Sequence, residues 1–213
     1  MELKKQLQSV LKKYNCYEGI LFQLASPYAL YQSLAPGSPY RSEDPEAGAA
    51  PGYVEQCVQI AVQLYESLAF GKQLLVVYED MYGEENLEEI AFVESCLLEC
   101  GTAEHDTFSW KHQPMEGDYP AARDANEEIY TCTRRLYGAE GISAEGLFRE
   151  IILSDIGGEY GLASKVFVVD TESACIFHLY DDRGSAIYAP EEALLPHIGT
   201  EHDDVTDGLN HCF

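Results

Sequence analysis

The chain has 213 residues, of which 46% are hydrophobic and 23% are charged, a composition typical of a folded globular protein. Its 37 acidic and 13 basic side chains give a net charge of −24. Because nucleic acids and anionic lipids are bound through Lys and Arg, a surface this negative excludes both as expected partners.

The N-terminal residues lack an apolar stretch followed by a small-residue cleavage site, so we expect no secretory signal. The sequence contains no run of about 18 apolar residues, so we expect no membrane-spanning segment. The seven cysteines are widely spaced and suit reduced, packed thiols, which indicates a cytoplasmic protein. Cys96 and Cys100 with His105 and His112 depart from the paired spacing of structural zinc sites, so we expect no metal and no cofactor.

Apolar periodicity predicts the elements of the first half of the chain. Five prolines and little periodicity in residues 26–52 predict a long loop lying over the domain. The predicted elements around that loop are a helix at 3–15, a buried strand at 19–24, a helix at 53–68, a strand at 73–78 and a helix at 87–98.

The second half is predicted to contain two helices and an antiparallel meander. Its elements are a weak strand at 105–110, helices at 124–137 and 143–154, strands at 165–170, 174–180 and 185–189, a short helix at 190–195 and a flexible tail at 200–213. Loops as short as those after residue 170 join only antiparallel strands. The sequence therefore predicts a single α+β domain over residues 1–213, with a mixed sheet that ends in a three-stranded antiparallel meander packed by several helices.

The turn between the last two strands carries the most distinctive polar residues. A structural interpretation is that aspartates cap the turn, Gly184 accepts a positive φ, and Arg183 pairs with a nearby carboxylate. A functional interpretation is a recognition site at the sheet end. The residues concerned are His178, Tyr180, Asp181, Asp182, Arg183 and Gly184.

This turn, with the strand at 166–169 before it, resembles the C-terminal part of a bacterial family catalogued as domain of unknown function 3885. The helix at 53–70, the strand at 74–77 and the run Ile20-Leu-Phe-Gln-Leu24 are similar to other parts of that family. The resemblance implies a fold and a bacterial origin, and it implies no activity.

No nucleophile elbow, P-loop or dinucleotide fingerprint is present, so we expect a non-enzymatic protein that binds another macromolecule. The net charge and 15 tyrosines favour a basic protein partner, such as a toxin masked by an immunity-type protein. The expected partner face carries Glu84, Glu85, Glu88 and Glu89. The alternative is a small-molecule hydrolase or ligand-binding domain with a carboxylate and histidine site near residues 178–184, beneath the predicted loop.

Overall fold

The computed structural model describes residues 3–14, 28–35, 37, 39, 49–80, 86–98, 105–112, 130–154, 156, 162 and 164–196, with backbone alone for 80, 105–112 and 130–133. The described residues form an α+β fold, as predicted. The strand predicted at 19–24 and the tail predicted at 200–213 lie outside the described residues.

Seven strands form one sheet in the order β1-β9-β8-β7-β2-β5-β4, and strands β3 and β6 form a second, two-stranded sheet. Every pairing is antiparallel, so the described sheet is antiparallel rather than mixed, and the predicted meander is strands β7, β8 and β9. The strands are β1 Tyr28–Ser33, β2 Leu74–Asp80, β3 Leu97–Leu98, β4 His105–His112, β5 Tyr130–Ala139, β6 Gly141–Ile142, β7 Lys165–Asp170, β8 Ile176–Leu179 and β9 Gly184–Ala189.

Four α-helices lie close to their predicted positions. They are α1 Leu3–Lys13, α2 Tyr53–Ser67, α3 Leu87–Ser95 and α4 Ala144–Leu153, and a short 3-10 helix follows at Glu192–Leu194. Helix α3 begins where the Asn86 side chain accepts a hydrogen bond from the Glu89 backbone N–H at 3.1 Å. This side-chain cap satisfies one of the amide groups that a helix start leaves without a partner.

Two predicted elements are corrected by the sheet. Strand β1 lies inside the segment predicted as a loop at 26–52, because it pairs along its whole length with β9, which is remote in sequence. Strand β5 begins at residue 130, inside the helix predicted at 124–137, because it pairs with β2 on one side and β4 on the other. In both places tertiary pairing overrides the local pattern.

The sheet is covered on both faces, and strand β2 shows why. Its residues alternate in direction, so Leu75 and Val77 pack with helix α1, whereas Leu74, Val76 and Tyr78 pack with helices α2, α3 and α4. A strand buried on both faces needs apolar residues at successive positions. The uninterrupted apolar run of β2 therefore fixes a layer of helix on each side of the sheet.

Candidate functional site

In the turn from β8 to β9, the polar groups of Asp181 and Arg183 bind one another. The Asp181 carboxylate accepts a hydrogen bond from the Arg183 backbone N–H at 2.7 Å and another from Arg183 Nε at 2.8 Å. Arg183 Nη2 also pairs with the same carboxylate. Asp181 is buried, while the Arg183 side chain is 71% exposed, so the guanidinium closes the turn over the carboxylate. This arrangement matches the structural interpretation of the turn.

Gly184 is required by a close approach and not, as predicted, by a positive φ. Among the described glycines only Gly52 has a positive φ, at 77°. A Cβ atom on Gly184 would lie 2.7 Å from the Gln32 carbonyl oxygen and 3.0 Å from Tyr180 Cζ, and still closer to the Tyr180 hydroxyl. Real Cβ atoms do not approach backbone this closely, so the tyrosine ring and strand β1 together exclude any side chain at residue 184.

The same turn holds two other elements of the fold. The Leu34 backbone N–H, just after β1, donates to the Arg183 carbonyl at 3.0 Å. The Tyr53 hydroxyl, at the start of α2, donates to Asp182 Oδ2 at 2.7 Å. Burial and the neighbouring Asp182 carboxylate raise the pKa of Tyr53, so its hydroxyl stays protonated and donates at physiological pH. Both aspartates of the turn are therefore engaged in internal contacts.

His178 lies in the core beside this turn. Its ring is buried and stacks on Phe167 with 4.2 Å between ring centroids, and the Tyr180 ring lies 6.1 Å away. Burial, assisted by the Lys165 ammonium, lowers the pKa of His178 to about 3. The imidazole is neutral at pH 7, and a group with this pKa is poorly matched to general acid or base catalysis near neutrality.

A buried ion pair joins β2 to β5 and was not anticipated from the sequence. Glu79 and Arg134 are directly opposite one another in the sheet, both are buried, and their side chains form a salt bridge. Lys165 lies opposite Glu79 on the other side, in β7. Burial raises the pKa of Glu79 and the Arg134 charge opposes that rise. The local sequence pattern predicts a helix around Arg134, so it does not indicate that this residue lies opposite Glu79 in a sheet.

The expected partner face is not wholly exposed to solvent. Glu88 is exposed, whereas Glu84 and Glu85 lie outside the described residues. Glu89 is buried, which corrects its assignment to that face. Its carboxylate accepts hydrogen bonds from the Tyr78 hydroxyl at 3.0 Å and from the Ser164 backbone N–H at 3.0 Å. Glu89 therefore fastens α3 to the sheet and is not available to a partner.

Charge is distributed unequally between the two helical layers. Helix α1 carries four lysines and no acidic residue. Helices α2, α3 and α4 together carry seven glutamates and one arginine, and Arg149 pairs with Glu55 across α4 and α2 at 3.4 Å. The exposed glutamates of this layer are Glu55, Glu66, Glu88, Glu94 and Glu145.

Within the described ranges, no group of three or more His, Cys, Asp or Glu side chains is arranged to hold a metal ion. Cys96 is buried, and burial raises the pKa of its thiol, as it also does for Cys57 and Cys175. A raised pKa keeps a thiol protonated and a poor nucleophile. Cys100 and the His105 and His112 side chains lie outside the described residues. Of the described helices, none is long and apolar enough to cross a membrane.

The family whose description reads Domain of unknown function (DUF3885) matches residues 5–207 of the chain. No curated protein and no solved structure matches the chain.

We predict that Gly184→Ala destabilises the protein, because its Cβ would overlap the Tyr180 ring and the Gln32 carbonyl. Overpacking of this kind costs about 1–3 kcal/mol, measurable by urea unfolding. Gly37→Ala is the matched control, since nothing lies within 4 Å of a Cβ at that position. Equal unfolding midpoints for the two variants would show that the close approach at Gly184 is absent.

We predict that His178 makes the protein less stable in mild acid. Its pKa in the folded state is about 3, below the value of about 6.5 in an unfolded chain, so protons favour unfolding as the pH falls below about 6.5. Between pH 7.5 and pH 5 this group should remove about 2 kcal/mol of the free energy of unfolding. In His178→Leu the loss over this interval should be smaller by that amount, whereas parallel pH profiles would contradict the prediction.

Proposed function

We propose that this chain, which belongs to the family described as Domain of unknown function (DUF3885), is a non-enzymatic module that binds a basic protein partner. In the specific form that we favour, the partner is a toxin and the chain is an immunity-type protein that masks it. The binding surface is the outer side of helices α2, α3 and α4.

This proposal rests on the unequal distribution of charge between the two faces of the sheet. The layer of α2, α3 and α4 presents five exposed glutamates, and its single arginine is already paired with Glu55. The four lysines of α1 lie on the opposite face of the sheet. A basic protein approaching a molecule of net charge −24 is therefore oriented toward the three-helix layer, since charge complementarity steers encounter and sets the docking orientation.

The same layer also offers apolar contact area beside its charges. Leu87, at the first position of α3, is 68% exposed, and Leu98, in the strand that follows α3, is 46% exposed. The helix between them is held rigidly, because the buried Glu89 carboxylate binds Tyr78 and Ser164. Apolar contacts flanked by charges on a rigid helix suit a protein interface, which combines an apolar centre with a polar rim.

The internal contacts of the turn favour binding over catalysis. Asp181 is bound to Arg183 and Asp182 to Tyr53, so neither carboxylate is placed to activate water. His178 is neutral and stacked on Phe167. A hydrolase site at residues 178–184 would need at least one of these groups to face a substrate.

The test compares two triple variants of equal charge. Glu66→Lys, Glu88→Lys and Glu145→Lys change the three-helix layer, while Glu172→Lys, Glu191→Lys and Glu192→Lys change exposed acids elsewhere. The tagged full chain is used to recover basic proteins from its source cells, and the recovered protein is purified for kinetic binding. We predict that the first variant slows association by about tenfold or more and flattens its dependence on salt, while the second stays near wild type.

The immunity role has its own readout. Expression of the recovered protein alone should arrest growth, and co-expression of the wild-type chain, but not of the three-helix variant, should restore it. Equal loss of binding in both triple variants would show that net charge alone is responsible. Failure of the wild-type chain to bind any basic protein from those cells would refute the proposed function.

A further inference from the structure

One exposed stripe of side chains runs along the outer side of helix α3. Leu87, Ala91 and Glu94 follow one another at intervals of four and three residues, which places them on the same side of the helix, and all three are exposed. The buried residues of α3 lie on its other side. The stripe therefore begins with apolar side chains and reaches a carboxylate about 10 Å further along, at 1.5 Å per residue.

The Glu94 carboxylate is oriented by the sheet. The Tyr137 hydroxyl donates to Glu94 Oε1 at 3.1 Å, and Tyr137 is buried in β5, which lies between β2 and β4. Burial, followed by the Glu94 charge, raises the pKa of Tyr137, and the Arg135 charge opposes that rise. The hydroxyl is therefore protonated at neutral pH, so it orients Glu94 without neutralising it.

Glu94 differs in this respect from other exposed glutamates of the three-helix layer. Within the described part of the chain Glu94 has no ion pair, whereas Glu55 is paired with Arg149. The Glu66 side chain has neither an ion pair nor a hydrogen bond to a described residue. A side chain that is already oriented loses less conformational entropy when a partner binds it. Glu94 is thus the carboxylate of this layer that is both charged and held in place.

We propose that Glu94 binds an arginine of the basic partner, and that Leu87 and Ala91 contact an apolar side chain of the same partner. This inference rests on the proposed function and names the chemistry of its central contact. Oε1 keeps a second lone pair and Oε2 keeps two, so a guanidinium can bind both oxygens while Tyr137 stays bound.

The fixed carboxylate favours arginine over lysine. The donors of a guanidinium lie in a rigid plane that matches a carboxylate of fixed orientation, whereas an ammonium is a compact charge that gains less from such orientation. Arginine is also enriched at protein interfaces, where apolar side chains surround the residues that contribute most to binding. The stripe of α3 offers both kinds of contact on one rigid helix.

The experiment is a titration of the full, isotope-labelled chain with hexa-arginine and with hexa-lysine, followed through its amide resonances. At about 0.1 M salt, charges beyond about 10 Å are screened, so close contacts dominate. We expect hexa-arginine to bind more tightly than hexa-lysine and to shift the resonances of α3 most. Glu94→Gln should weaken hexa-arginine by about fivefold or more, because it removes the charge but keeps an oxygen for Tyr137.

Two further variants separate orientation from charge. Glu66→Gln is the matched control, since it removes the same charge from the same layer, and it should weaken hexa-arginine by less than about twofold. Tyr137→Phe keeps the Glu94 charge but removes the hydroxyl that orients it. It should weaken hexa-arginine by about two- to threefold, with little effect on hexa-lysine or in the Glu94→Gln background. The amide spectrum shows directly that each variant is folded.

The apolar part of the stripe has its own readout. Hexa-arginine extended by one leucine at each end should bind more tightly than hexa-arginine itself. Leu87→Ser should remove that gain while leaving the affinity for hexa-arginine unchanged, because Leu87 contributes apolar contact and no charge.

Equal losses in Glu94→Gln and Glu66→Gln would overturn this inference and leave the proposed function standing, since the layer would then act through its total charge. The inference also fails if hexa-lysine binds as tightly as hexa-arginine, if hexa-arginine shifts no resonance of α3, or if Tyr137→Phe binds hexa-arginine like the wild type. The proposed function fails on a different result, which is that the wild-type chain recovers no basic protein from its source cells.

Discussion

The turn from β8 to β9, which is closed by the bond between Arg183 and the buried Asp181 carboxylate, is the constraint on which the arrangement of this fold depends. In this form the turn directs one carbonyl and one carboxylate toward neighbouring elements. The Arg183 carbonyl receives Leu34 and so positions strand β1, and the Asp182 carboxylate receives Tyr53 and so positions the start of helix α2. Asp181 neutralises Arg183 within the turn itself. One turn thus fixes a sheet edge, a helix and a hairpin at once.

The consequence is a molecule whose two layers differ in charge. With α2 fixed by Asp182 and α3 by the buried Glu89, the three-helix layer presents a stable acidic surface. The lysines of α1 are kept on the other side of the sheet, where the apolar residues of β2 bury that helix. Under the proposed function, this rigid acidic layer is the surface that binds a basic protein partner.

The local sequence pattern is sufficient to predict those elements in which buried residues recur at a regular spacing. Helices α1 and α2 and the meander of β7, β8 and β9 were predictable because apolar spacing and short turns are encoded within each segment. Strands β1 and β5 were not, since each is held by partners distant in the chain and neither has a clear alternating pattern. Glu89 and the Glu79–Arg134 pair were missed for the same reason: a charged residue is buried only when tertiary structure brings it a partner.

The most direct test of the central claim is a comparison of Arg183→Ala with Arg149→Ala by thermal and urea unfolding. Both remove an arginine from an ion pair, but Arg183 covers the buried Asp181, while Arg149 pairs with Glu55, whose side chain is 63% exposed. If the turn organises the fold, Arg183→Ala lowers the free energy of unfolding by about 1–3 kcal/mol. Arg149→Ala should change it by less than about 1 kcal/mol. An Arg183→Ala chain that melts with the wild type would contradict the account.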